Sequence, residues 1–326
     1  MPNVSYCVDR NEVHYNPYVH DYSQDYLTFV AKADGTFKLS GATTANTVSY
    51  SLDNGSTWTN LAYNTNSPTV TSGQKIMWKG TLTPTSNKGI GKFSSTAQFD
   101  VEGNSMSLLY GDDFKGETSL EGKNYAFYNL FSGCTMLESA EKMSLPATTL
   151  ARYCYQNMFR GCTKLTTAPE LPATTLVSQC YYYMFRGCTS LTTAPSLPAK
   201  TLAQSCYGYM FDGCTSLTTA PSVLPATRLT NQCYTYMFRG CTSLTTAPSL
   251  LATELASQCY NSMFNGCTSL NYIKAMFTTE PSVNYTSDWV SGVASSGTFV
   301  KNSAATWTTT GVNGIPSGWT VQTADA

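Results

Sequence analysis

Gly-Cys-Thr recurs six times along the chain, with its cysteine at Cys134, Cys162, Cys188, Cys214, Cys241 and Cys267. A second cysteine, at Cys154, Cys180, Cys206, Cys233 and Cys259, stands eight residues ahead of five of them. From Leu145 to Pro248 the copies are nearly verbatim: Leu-Pro-Ala-Thr-Thr-Leu, then Cys-Tyr-x-x-Met-Phe-x-Gly-Cys-Thr-x-Leu-Thr-Thr-Ala-Pro. Val223 is a one-residue insertion, and Leu251 replaces the usual proline. A fixed period of about 20–50 residues marks a stacked repeat architecture. A unit this short cannot bury its own apolar side, so the copies must pile up and share a core.

Each unit can be read locally. Counted from Leu150, the recurring apolar positions Leu150, Cys154, Met158, Phe159 and Cys162 fall at offsets 0, 4, 8, 9 and 12, which predicts one apolar stripe along a helix. Pro146 and Thr148-Thr149 suit a helix start, and Gly161 stands where a helix stops. Leu165 to Ala168 then reads as a short extended stretch closed by Pro169. The expected coil is a helix plus a short strand.

At this point the motif Met-Phe-x-Gly-Cys-Thr-Ser-Leu followed by Leu-Pro-Ala-Thr resembles the surface-antigen (BspA-like) class of bacterial leucine-rich repeats, over about residues 131–275. The chain departs from that class in carrying Cys-Tyr-x-x-Met where Ile-Gly-x-x-Ala is more usual. The resemblance implies a leucine-rich-repeat solenoid of five to six 26-residue repeats over residues 132–270, built to display a surface.

The flanks follow another grammar. Val48, Tyr50 and Leu52 alternate into an Asp53-Asn54-Gly55 hairpin turn, and Phe29, Phe37-x-Leu39, Ile76-x-Trp78 and Phe99-x-Val101 supply further alternation. These strands predict a β-sandwich-like domain over residues 23–105. Residues 106–131 are expected to cap the first coil, and residues 271–326, with Trp289, Trp307 and Trp319 among Gly, Ser and Thr, to cap the last. Residues 1–22 read as an arm without a core. The expected fold class is α+β.

Composition excludes some functions. Charged residues make up 12% of the 326 and the net charge is −1, leaving no electrostatic footprint for nucleic acid or an anionic membrane. No apolar run approaches the roughly 18 residues of a membrane span, and no secretory leader is visible. The chain reads as made and assembled in a cytoplasm, or as one whose export signal has been removed.

Little in the sequence suggests catalysis. Cys-x7-Cys lacks the spacing of a zinc site, and the repeats contain no histidine. On the expected helix two cysteines eight apart would be about 12 Å from each other, too far for a bridge. The series Cys154, Cys180, Cys206, Cys233, Cys259 and Cys162, Cys188, Cys214, Cys241, Cys267 is expected to form buried core ladders of reduced thiols, with inter-coil disulfides as the alternative. His14 and His20 both lie in the arm, where Asp21 and Asp25 make a metal site conceivable and a solvated tail the simpler reading. Asp112-Asp113 beside Gly111 reads as a solvated turn rather than a calcium or acid–base pair. Gly89-Ile90-Gly91-Lys92 lacks the phosphate-loop spacing. No catalytic residue, metal or cofactor is expected.

The variable positions say more. Between the recurrent Tyr and Met stand Gln156-Asn157, Tyr182-Tyr183, Gly208-Tyr209, Thr235-Tyr236 and Asn261-Ser262, and after Phe come Arg160, Arg186, Asp212, Arg239 and Asn265. All face away from the core stripe, so stacking should gather them into one array. Tyr182, Tyr183, Arg186, Tyr209, Asp212, Tyr236 and Arg239 are its candidate ligand-binding residues. Drift at unconstrained surface positions is the competing reading. The Thr-Thr pairs Thr166-Thr167, Thr192-Thr193, Thr218-Thr219 and Thr245-Thr246 form a second ladder, which β-propensity explains.

Asn11 to Pro17, the hairpin domain and the Ile315 to Trp319 ending resemble proteins encoded by gut bacteria and their tailed phages. That resemblance implies a non-catalytic displayed protein of a phage particle, a fibre or decoration protein, assembled into a virion. The arm and N-terminal domain would hold other virion or surface proteins, and the solenoid would contact a host surface protein or glycan. No nucleic-acid or membrane-inserted partner is expected, and a homo-oligomer is compatible with the role. A bacterial cell-surface adhesin is the alternative, and an intracellular scaffold a weaker third.

Overall fold

The computed structural model describes residues 6–9, 12–15, 20–41 and 47–325. Half of the expected arm over residues 1–22 therefore lies outside the described residues. Within it β1 (Tyr6–Asp9) and β2 (Glu12–Tyr15) pair as an antiparallel hairpin.

The helix expected in each coil is absent. From Ala151 to Cys162 the chain runs through successive tight turns. Cys154, Gln156, Met158, Arg160 and Cys162 each donate their N–H to the carbonyl three residues back. Tyr155, Asn157, Phe159 and Gly161, the residues between, donate to Cys180, Tyr182, Met184 and Arg186 of the next coil at 2.8–3.0 Å. Half of the N–H groups thus close turns and half stitch coils together, and none makes the i→i−4 bond of a helix. Every fourth residue takes a positive φ: Tyr153 (62°), Asn157 (57°) and Gly161 (72°), with the same pattern at Gln179, Tyr183 and Gly187.

This geometry explains the residue pattern better than a helix does. Offsets 0, 4, 8 and 12 repeat every four residues, whereas a helix at about 100° per residue would carry offset 12 roughly 120° away from offset 0. The turn ribbon has no such drift. It sends two residues inward and two outward in alternation: Cys180 and Tyr181 are buried, Tyr182 and Tyr183 partly exposed, Met184 and Phe185 buried, Arg186 and Gly187 partly exposed. The α+β expectation is corrected accordingly. The described chain is mostly strand and turn, and its two α-helices, α1 (Ser107–Tyr110) and α2 (Val283–Thr286), have four residues each.

Stacking turns the inward positions into columns. Phe131, Phe159, Phe185, Phe211, Phe238 and Phe264 form one column of near-parallel rings with centroids 5.4–5.8 Å apart. Phe127, Tyr155, Tyr181, Tyr207, Tyr234 and Tyr260 form a second at 5.6–5.9 Å. All of these rings are at most 1% exposed.

Seven strands build the N-terminal domain: β3 (Leu27–Ala31), β4 (Phe37–Ser40), β5 (Thr47–Ser51), β6 (Thr59–Ala62), β7 (Lys75–Lys79), β8 (Lys92–Ser95) and β9 (Phe99–Asn104). With β10 (Leu137–Ser144), five of them make a six-stranded sheet in the order β10-β9-β3-β7-β5-β6, and β4 pairs with β8 in a separate two-stranded sheet. The two sheets meet through Phe29, which contacts Phe37 at 5.3 Å and Phe93 at 4.8 Å. β10 belongs to the first coil, yet it pairs in parallel with β9, and Phe93 stacks on Phe131, the first ring of the Phe column. The domain and the solenoid therefore share one continuous core and the domain closes the solenoid's first end.

The coil geometry reaches beyond residues 132–270 on both sides. Tyr125, Phe127, Asn129 and Phe131, inside the stretch expected to be a cap, already donate to the coil that follows. At the other end Tyr260, Ser262, Phe264 and Gly266 donate to Tyr285, Ser287, Trp289 and Ser291. Strands β11 (Val223–Leu224), β12 (Ser249–Leu250), β13 (Tyr272–Ala275), β14 (Thr298–Asn302) and β15 (Thr320–Ala324) stack in parallel and carry the solenoid to its end. Trp289 touches both Phe264 and Tyr260 and closes the two ring columns.

Candidate recognition surface

The outward positions of the turn ribbon gather Tyr182, Tyr183, Arg186, Tyr209, Asp212, Tyr236 and Arg239 on one face. Tyr183, Tyr209 and Tyr236 occupy the same place in three successive coils, at φ of 60°, 56° and 54°. That left-handed conformation suits Gly and Asn far better than a bulky side chain, and Asn157 holds the equivalent place one coil earlier. Ring stacking compensates: Tyr209 lies 4.5 Å from Tyr236 at 11°, and 4.6 Å from Tyr183 at 40°. Tyr182 sits edge-on to Tyr183 at 4.2 Å.

Beside the rings runs a charge cluster. The Asp212 side chain is 7% exposed and lies between two arginines, each more than a third exposed. Arg186 donates through Nε to Oδ2 at 2.8 Å, and Arg239 donates through Nε to Oδ1 and Nη2 to Oδ2, both at 2.8 Å. The fork from Arg239 is the bidentate geometry that a planar guanidinium favours, and this bond to Asp212 raises the Arg239 pKa above its ordinary value. The guanidinium of Arg239 lies 4.8 Å from the Tyr236 ring, and that of Arg186 lies 5.3 Å from Tyr183. Arg239 also lies 5.7 Å from the Tyr209 ring and Arg160 lies 5.8 Å from Tyr183, contacts that join neighbouring coils. Burial raises the phenol pKa of Tyr209 above its ordinary value.

The cysteines lie on the opposite, inward side. All eleven with described side chains are unbridged and buried. Cys162, Cys188, Cys214, Cys241 and Cys267 donate S–H to the carbonyls of Phe131, Phe159, Phe185, Phe211 and Phe238 at 3.0–3.2 Å. A small side chain with one weak donor meets that demand. Burial pushes the Cys154 and Cys206 thiols up to about 12, the reverse of an activated nucleophile. The threonine ladder is exposed, and its hydroxyls serve the backbone: Thr218 Oγ1 donates to Thr192 O, and Thr166 Oγ1 to Glu138 O.

Elsewhere, Asp112 accepts from Lys79 Nζ at 2.7 Å and from Tyr26 Oη at 2.7 Å, bonds that lower its pKa. With Asp113, Ser49, Asn60 and Tyr110 it lines an open polar cleft of about 400 Å³ on the N-terminal domain. His20 pairs with Asp25, and the side chain of His14 lies outside the described residues. Among the described residues no group of three or more His, Cys, Asp or Glu is placed to hold a metal ion, and no helix is long and apolar enough to cross a membrane.

Sequence reasoning missed the buried tyrosine column. The signal was the recurrent Tyr directly after each first-series cysteine, one step off the assumed stripe. It also missed that Asp212 ties three successive coils together.

A family model described as "BspA type Leucine rich repeat region" matches the chain in six copies, over residues 123–245 and 196–285. Searches of curated proteins and of solved structures return no match.

Proposed function

The chain belongs to the BspA-type leucine-rich-repeat family, and from that premise we propose that it is a non-catalytic, displayed binding protein whose solenoid offers the Tyr and Arg face to a host surface protein or glycan. The observation that carries this reading is the outer tyrosine stack. Three tyrosines in succession occupy a left-handed position that Asn or Gly fills at less cost, and they hold an ordered row of hydroxyls and guanidinium groups half in solvent. Drift at indifferent positions does not account for a cross-coil arrangement of that kind. The setting we favour is a phage virion fibre or decoration protein, anchored through its arm and N-terminal domain. The alternative is a bacterial cell-surface adhesin.

The test replaces Tyr183, Tyr209 and Tyr236 together by Asn, the residue already present at Asn157. The variant should fold, with a melting temperature close to that of the parent, and should lose binding in host-cell pull-downs and on glycan arrays, since a few anchor residues dominate affinity. A folded variant that binds as the parent does removes this face from consideration. Native mass addresses the setting: an oligomer supports a fibre, and a monomer supports an adhesin module.

A further inference from the structure

The chain contains six arginines: Arg10, Arg152, Arg160, Arg186, Arg228 and Arg239. Four of them, Arg152, Arg160, Arg186 and Arg239, stand on the face just described, because positions two before and six after the first-series cysteine are equivalent in a four-residue ribbon. Arg228 pairs elsewhere with Glu254. Along the outward turn positions from Arg152 to Asn265 the only acidic residue is Asp212. The patch therefore carries four positive charges against one negative, on a chain of net charge −1. Arg186 and Arg239 share Asp212. Arg152 and Arg160 are exposed and make no ion pair among the described residues; each guanidinium sits near a tyrosine ring, 5.5 Å from Tyr153 and 5.8 Å from Tyr183.

The ring geometry restricts what can dock. Tyr209 has Tyr183 on one side and Tyr236 on the other at 4.6 and 4.5 Å, so its faces are already covered. A ligand meets ring edges, phenol hydroxyls and guanidinium forks. Nucleic-acid bases need free aromatic faces to stack on, and Tyr209 at the centre of the row offers none. Hydroxyl-rich, carboxylate-bearing chains need in-plane hydrogen bonding and bidentate cations, which it does offer.

We propose that the ligand of this face is an acidic polysaccharide, its carboxylates taken by Arg152 and Arg160 and its hydroxyls by the tyrosine edges. This rests on the reading of the face as a binding surface and adds the ligand's chemical class.

The experiment measures binding of the full chain to uronate polymers (polygalacturonate, alginate and hyaluronan), to fully methyl-esterified polygalacturonate, and to a single-stranded oligothymidylate. At least one uronate polymer should bind, and adding salt from 0.05 to 0.5 M should weaken it. Arg152→Gln with Arg160→Gln should weaken binding roughly tenfold or more, since charged hydrogen bonds are the strong ones. Both residues are exposed, so an unchanged melting temperature is the folding control. Equal binding of the esterified polymer, or no effect of the double substitution, overturns the acidic class and leaves the binding reading standing. Tighter binding of the oligothymidylate overturns it in favour of nucleic acid. Failure with every uronate polymer also overturns it, and the Tyr→Asn triple variant on a broad glycan array then decides separately whether the face binds at all.

Discussion

The ring of Tyr182 lies where a β-carbon on Gly208 would have to be: an added Cβ would stand 2.6 Å from the Cε2 of that ring and 2.8 Å from its Cδ2. The two residues hold the same place in successive coils, so one coil's large side chain depends on the next coil having none. Gly208→Ala should therefore destabilise the protein by about 1–3 kcal/mol, the usual cost of forcing atoms into filled space. In a Tyr182→Gln background, which copies Gln156 of the preceding coil, the same change should be neutral or stabilise by roughly 0.4–1 kcal/mol through the unfolded chain. Thermal melts of the four proteins give the coupling. Equal effects in both backgrounds would show that the ring does not occupy that space.

The buried tyrosine column makes a second, less intuitive prediction. The Tyr234 hydroxyl is buried with no hydrogen-bond partner among the described residues, and Phe127 fills the same column where it meets the first coil. An unpartnered buried hydroxyl costs about 1–3 kcal/mol. Tyr234→Phe should thus leave the melting temperature unchanged or raise it by a few degrees, whereas Tyr234→Ala should lower it sharply by leaving a cavity. A fall of several degrees for Tyr234→Phe would show that the hydroxyl has a partner in solution.

These two cases also mark where the sequence could be read and where it could not. The repeat and its register are legible because Gly-Cys-Thr recurs verbatim, but its ends are not, since the coil geometry runs back to Tyr125 and on to Ser291 where the motif has lapsed. The coil geometry was misread because offsets 0, 4, 8, 9 and 12 fit a loose helical stripe; the strict four-residue spacing from Leu150 through Cys154 and Met158 to Cys162 was the sign of a turn ribbon. Tyr183 and Arg186 stand outside the core stripe under either geometry, and both are partly exposed. Tyr155 and its equivalents were left off the stripe because one step from Cys154 is the wrong face of a helix and the right face of a two-in, two-out ribbon. Asp212 looked like one more variable residue, because its meaning depends on Arg186 and Arg239 in two other coils.

The thiol ladders set a pH dependence. Burial raises the Cys154 and Cys206 pKa to about 12 and pushes Cys180 and Cys188 up as well. In the unfolded chain these thiols ionise near their ordinary value of about 8.5. Above that pH the unfolded state binds fewer protons than the folded one, so stability falls as pH rises. The contribution is fully present below the unfolded value and is lost progressively as pH climbs towards the folded one. The melting temperature should be flat between pH 6 and 8 and fall steeply from about pH 9 upward. The eleven buried thiols should resist alkylation at pH 8 until denaturant is added, and then all react. A flat melting profile to pH 11, or intact-mass evidence of several disulfides, would remove the reduced ladders.

Asp212 supplies the last prediction, because among the described residues it is the one carboxylate shared by two guanidinium groups from different coils. Removing its charge by Asp212→Asn leaves Arg186 and Arg239 on either side of a neutral amide, with no negative charge between them. Losing one partner of a fully buried ion pair costs about 3–5 kcal/mol, but both arginines keep more than a third of their side chains in water. A smaller loss of about 1–3 kcal/mol is therefore expected, read as a lower melting temperature in dilute buffer. Like-charge repulsion is screened by salt, so the deficit should shrink in 0.5 M salt, which a loss caused only by packing would not do. Adding Arg239→Gln to Asp212→Asn removes the repulsion altogether and should recover part of the loss, since a neutral residue already stands at Asn265 in the following coil. A melting temperature for Asp212→Asn within a degree of the parent in dilute buffer would mean that the carboxylate does not hold the two arginines, and that the order of the outer face comes from the tyrosine stack alone.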